Sequence, residues 1–201
     1  VLSSHEVSLG YKEVDDPSVY ARFKLSNVEN TYFLAWTTTP WTLVSNIALA
    51  VGPEINYSKI RITSGDNSGE SLILATARLD KIAEDYEITE TFSGNELVGQ
   101  HYDRLFELPE AADATDGWRV VAADYVSTED GTGIVHQAPA FGADDYQVCQ
   151  REGLPMFNPM GADGHFLPGT PLVAGEWFKD ANKKINRDLR DRGLLYKQEN
   201  Y

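Results

Sequence analysis

Apolar residues along the chain fall in short runs with a period near two. That alternation puts successive side chains on opposite faces of a pleated backbone and predicts half-buried strands. Val19–Leu25, Tyr32–Trp36, Ile47–Val51, Tyr57–Thr63, Ser71–Ala75, Glu87–Phe92, Trp118–Ala122 and Gly133–His136 fit it. Gly52-Pro53, Ser64-Gly-Asp-Asn-Ser-Gly69 and Ser93-Gly94-Asn95 break the runs. Three stretches follow helical spacing instead. Ala77–Tyr86 brings Leu79, Ile82, Ala83 and Tyr86 near one face, Asp144–Glu152 opens on acidic residues and stops at Gly153, and Lys179–Arg192 carries Ala181, Ile185 and Leu189 on one stripe. Residues 153–176 are rich in Gly and Pro and predict a loop or small hairpin excursion. The pattern predicts an α+β fold, mostly β, with residues 1–201 as a single domain.

Composition narrows the classes. With 201 residues and 42% hydrophobic content, the chain is long enough for one real core. No segment approaches the roughly 18 consecutive apolar residues of a membrane span, and the N-terminus lacks the features of a signal peptide. A chain opening on Val1 is expected to be a fragment or a processed product. The single cysteine, Cys149, excludes an internal disulfide and suits a reducing compartment. A net charge of −14 argues against a long nucleic-acid footprint on this chain alone, because phosphate neutralisation dominates such binding. It leaves room for a few nucleotides of an RNA end whose remainder is held elsewhere. The charge is uneven: Lys179 to Tyr201 holds seven basic residues against four acidic ones, either a solvated helix face or a phosphate-facing surface.

Two motifs can carry chemistry. In Trp36-Thr-Thr-Thr-Pro-Trp-Thr42 a strand delivers three hydroxyls in succession, and Pro40 ends the regular pattern. Threonine is common in strands, so structure alone could account for it. A cluster of small donors and acceptors able to hold a water or a ribose hydroxyl is the functional alternative. In Gly131–Asp145 a tight turn leads to a short strand ending at His136, then a loop of mostly small residues, then Asp144 and Asp145 at a helix start. Each carboxylate could simply favour the helix N-terminus. Together, the strand, imidazole, small loop and carboxylates could line two sides of one pocket. The four histidines are scattered and give no zinc spacing. No phosphate-cradling or dinucleotide motif appears, so no metal or cofactor is expected. Cys149 beside His136 could form a thiol nucleophile, but a half-buried helix cysteine is the simpler reading.

These residues resemble the inserted editing domain of isoleucyl-tRNA synthetases. Trp36-Thr-Thr-Thr-Pro-Trp-Thr42 followed by Asn46, and Gly131-Thr-Gly-x-Val-His136-x-Ala-Pro-x-x-Gly142-x-x-Asp145, carry the likeness. Ser8-Leu-Gly-Tyr-Lys12 and Asp188-Leu-Arg-Asp-Arg-Gly-Leu-Leu195 extend it over nearly the whole chain. The related valyl and leucyl domains usually have Arg where this chain has Thr39. The resemblance implies a compact β-barrel-like domain with a few flanking helices. It also implies post-transfer editing: hydrolysis of valine misattached to isoleucine tRNA, and of valyl-adenylate, with isoleucine rejected by pocket size. This enzyme class is itself the known instance of a synthetase that needs a second, hydrolytic site. By resemblance, Asp145, Thr38 and Thr39 are catalytic, with Asp145 also holding the α-ammonium. His136, Thr37, Thr42, Asn46 and Trp41 bind substrate. The implied partners are the 3′ end of the valylated tRNA and the remainder of a synthetase, in a monomeric cytoplasmic protein. The chain departs from the family at Leu43-Val44-Ser45, where Pro is common, and it holds neither the ATP-binding signatures nor the Rossmann-type core.

Overall fold

A computed structural model describes residues 17–200. The strands are β1 (Pro17–Lys24), β2 (Thr31–Thr37), β3 (Ala48–Val51), β4 (Asn56–Ile62), β5 (Ser71–Ala75), β6 (Tyr86–Ser93), β7 (Arg119–Ala122), β8 (Ile134–Gln137) and β9 (Leu195–Asn200). The helices are α1 (Leu79–Ile82), α2 (Gly94–Leu97), α3 (Ala143–Arg151) and α4 (Phe178–Asp191), with short 3₁₀ turns between, among them Pro40–Ser45. The larger sheet has the order β6-β4-β5-β2-β1-β9 and the smaller one β7-β3-β8. The mostly-β expectation therefore holds, but among the described residues the strands form two sheets and close no barrel. "Barrel-like" fits only as a loose description. No helix among the described residues is long and apolar enough to cross a membrane.

Alternation explains how the larger sheet is buried on both faces. On one face Phe33, Ala35, Ile73 and Ala75 meet Leu49, Val51, Val120 and Ile134 of the smaller sheet. Their neighbours in sequence, Leu34, Leu72 and Leu74, point the other way and pack with Ile60, Leu79 and Ile82. A strand buried on both sides reads as a continuous apolar run, which is why Ser71–Ala75 is Ser-Leu-Ile-Leu-Ala. Helix α4 adds Ala181, Ile185 and Leu189 to the first cluster, as its stripe predicts.

Two expectations need revision. The helix expected over Ala77–Tyr86 is a 3₁₀ turn, Thr76–Arg78, followed by the single turn α1, and Tyr86 already begins β6. Ser93-Gly94-Asn95, read as a breaker, starts α2, because Ser93 and Glu96 form a reciprocal capping box. Strand β9 has no counterpart in the sequence pattern. Between residues 153 and 176 only isolated bridges form, such as Met160 with Phe166. Ser8–Lys12, part of the resemblance, lies outside the described residues.

Candidate functional site

Strand β8 is the outer strand of the smaller sheet, antiparallel to β3, and it lies against β2. The end of β2, strand β8 and the loops on either side of β8 line a cleft of about 420 Å³. Thr37, Thr38, Thr39, Thr42, His136, Phe141, Gly142 and Asp145 all line it. The two motifs thus meet at one site, 94 residues apart in sequence at the Thr42–His136 contact.

The threonines form a linked array. Thr37 and Thr39 hydroxyls lie 3.2 Å apart, as do those of Thr39 and Thr42, and the Thr39 N–H donates to Thr37 Oγ1 at 3.1 Å. The Thr42 hydroxyl donates to the Thr39 carbonyl at 2.8 Å and touches His136 Nε2 at 3.0 Å. Thr42 has one proton to give, so with that proton on the Thr39 carbonyl, Nε2 must be the protonated nitrogen. Nδ1 is then an acceptor, buried and without a hydrogen-bond partner. Thr38 differs from its neighbours: its hydroxyl makes no hydrogen bond to any described residue and so can serve a ligand.

Burial lowers the His136 pKa to about 4 from its ordinary 6.5, so the ring is neutral at physiological pH. The sign for stability follows. Because the folded pKa is depressed, the contribution is fully present above pH 6.5 and is lost as pH falls toward 4. The loss should reach about 3 kcal/mol. Asp145, with its raised pKa, acts in the opposite sense. Denaturant unfolding between pH 7 and 4, with His136→Gln alongside, should show a decline that the variant largely lacks. Parallel pH curves for the two proteins would contradict the assignment.

Asp145 sits in the first turn of α3. Its Oδ2 accepts the Ala138 N–H at 2.9 Å, which fastens the small-residue loop to the helix. Burial raises its pKa, repulsion from Asp144 adds to this, and the Ala138 hydrogen bond opposes both. A carboxylate held this way in a cleft favours a cationic partner. Gly142 makes the placement possible: a Cβ there would stand 2.9 Å from the Asp145 carboxyl.

Two expected contacts lie outside the cleft lining. Asn46 is buried, donating to the Ala48 carbonyl and accepting from Tyr102 Oη, so its amide is spent on the core. Trp41 packs edge-on against Phe141 and Phe178 and supports the threonine segment from behind. The Cys149 thiol is buried and pushed up to about 12, first by burial and then by Asp145 and Glu152, so it stays protonated and is no nucleophile.

Sequence reasoning missed two residues. Tyr125 lines the cleft and donates its hydroxyl to Gln137 Oε1 at 2.9 Å. Arg78, buried, donates to the carbonyls of Gly131 (2.8 Å), Glu129 (2.8 Å) and Thr128 (3.4 Å), holding the turn that forms one cleft wall. Neither belongs to a motif. Only the oddity of an arginine beside the apolar Leu79 and Ile82 could have flagged Arg78.

The fold is that of aminoacyl-tRNA synthetase editing domains. The leucyl-tRNA synthetase editing domain of P. knowlesi superposes with a TM-score of 0.68 over 93% of this chain and 98% of that one, at 13% identity. That of P. falciparum gives 0.65 over 90% and 98%, at 9% identity. In sequence, the chain is 45% identical over 204 residues to an isoleucine–tRNA ligase of Bdellovibrio bacteriovorus, covering 98% of the chain. It is 47% identical over 201 residues to that of Streptomyces avermitilis, covering 98%, and 46% over 200 residues to that of Thermoplasma volcanium, covering 100%. The chain belongs to the isoleucine–tRNA ligase family and spans 18–19% of the length of these relatives. No family model matches it.

Proposed function

We propose that this chain is the editing unit of an isoleucine–tRNA ligase and hydrolyses the ester of valine misattached to isoleucine tRNA. The observation that carries the reading is the meeting of Asp145, His136 and the four threonines in one cleft. Asp145 takes the α-ammonium. His136 and its neighbours bound the side-chain space, admitting valine and crowding isoleucine. Thr38 and Thr39 position a water against the ester carbonyl.

An aminoacyl ester is already activated, so its hydrolysis needs placement and charge stabilisation more than a protein nucleophile. The water oxygen bonds to the carbonyl carbon, and the ester bond to the ribose oxygen breaks. The ribose oxygen leaves with a proton, releasing valine and tRNA, and no covalent intermediate forms. Valyl-adenylate fits the same scheme, with the phosphate as leaving group. The same reading has residues 1–201 acting as one unit of a larger, monomeric, cytoplasmic synthetase, whose other parts bring the tRNA.

The test is paired deacylation. The full-length ligase carrying this segment should release valine from valyl-tRNA much faster than isoleucine from isoleucyl-tRNA. An extra methylene in an apolar pocket is worth about 10- to 200-fold, which is the size effect expected. Equal rates on the two substrates would remove discrimination from the account.

A further inference from the structure

Helix α4 presents a basic stripe on a strongly acidic protein. Lys179, Lys183, Arg187 and Arg190 fall within about 80° of arc and about 16 Å of axis at 3.6 residues per turn. Lys184 and Arg192, off the stripe, are paired with Glu176 and Asp188. Lys183 and Arg187 are exposed and make no ion pair among the described residues. Arg190 spends a hydrogen bond on the neutral Gln198 and keeps its charge uncompensated there. Against a net charge of −14, this stripe stands out as a place for a polyanion to approach.

Its position gives it meaning. The side of α4 next to the stripe grips the cleft segment: Asn182 Oδ1 accepts the Trp41 N–H at 2.9 Å, and Phe178 packs on Trp41. Trp41 lies one residue before Thr42, which lines the cleft. Lys183 follows Asn182 by one residue, about 100° further round the helix. The stripe therefore flanks the wall through which substrate is held.

Resting on the editing reading, we propose that Lys183, Arg187 and Arg190 dock the ribose-phosphate backbone of the RNA whose aminoacylated end enters the cleft. The partner's charge is complementary, and phosphate contacts give register without sequence preference. The helix sits beside the cleft as such contacts require.

The experiment compares the full-length ligase with its Lys183→Glu/Arg187→Glu and Lys183→Gln/Arg187→Gln forms. KM and kcat for valyl-tRNA hydrolysis are measured across ionic strength. The glutamate form should raise KM about tenfold or more and flatten the slope of log(1/KM) on log salt by about two. The glutamine form should do the same to a lesser degree. Neither should change kcat, nor the hydrolysis of a valyl-adenosine ester that lacks the backbone. A wild-type KM and salt slope in both variants would overturn the docking surface while leaving the editing reading intact. A wild-type ligase that fails to hydrolyse valyl-tRNA would instead overturn the editing reading, and the docking surface with it.

Discussion

Replacing Asp145 with alanine should all but abolish valyl-tRNA hydrolysis. Losing one partner of a largely desolvated charge pair costs about 2–5 kcal/mol, which is roughly 30-fold to several thousand-fold in rate. Alanine also deletes the acceptor for the Ala138 N–H, so a loss of structure must be separated from a loss of charge. Asp145→Asn does this. Its amide oxygen can still accept from Ala138 while the negative charge is gone. The asparagine form should keep the wild-type melting temperature and lose the activity. The wild-type rate should also fall on acidification, at a higher pH than for a freely solvated aspartate, because burial raises this pKa. An asparagine variant with near-normal turnover would take Asp145 out of its role.

Gly133→Ala should be the most damaging small substitution in the site. Its φ of +75° is strained for any residue with a Cβ, and that Cβ would stand 2.4 Å from the Ala75 Cβ. Gly133 also lends its carbonyl to the Tyr57 hydroxyl at 2.7 Å, so backbone relief would break a buried hydrogen bond. Strain and overpacking together should cost about 2–5 kcal/mol, a large part of a typical domain's stability. Gly153→Ala is the control: its φ is +68°, but no atom lies within 4 Å of the added methyl. It should cost only the backbone share, about 1–2 kcal/mol. Chemical denaturation would read both, and equal losses would mean that the contact with Ala75 contributes nothing.

Much of the cleft lining was legible because its residues are local. Thr37 to Thr42 and Gly131 to Asp145 are continuous stretches, each placed by one strand end, so reading the strands located the groups. That they face one cleft was legible only through the family resemblance, since it depends on β8 lying against β2 across 94 residues of sequence, which no local pattern shows. The place of Asn46 was not legible for the same reason: its partners Ala48 and Tyr102 take its amide into the core. Strand β9 escaped notice because Leu195-Tyr-Lys-Gln-Glu-Asn200 has little alternation of its own. It forms an edge by pairing with β1, at the other end of the chain. The helix expected over Ala77–Tyr86 matched a 3.6 period by coincidence. Ile82 closes α1, whereas Tyr86 opens β6, and the two were never on one helix.

The most direct test of the account is a structure of the chain with a non-hydrolysable valyl-adenosine mimic. The valyl group is expected in the cleft between β2 and β8, its ammonium in ion-pair range of Asp145 and its side chain against His136. A mimic bound elsewhere, or bound in the cleft with its ammonium turned away from Asp145, would contradict it.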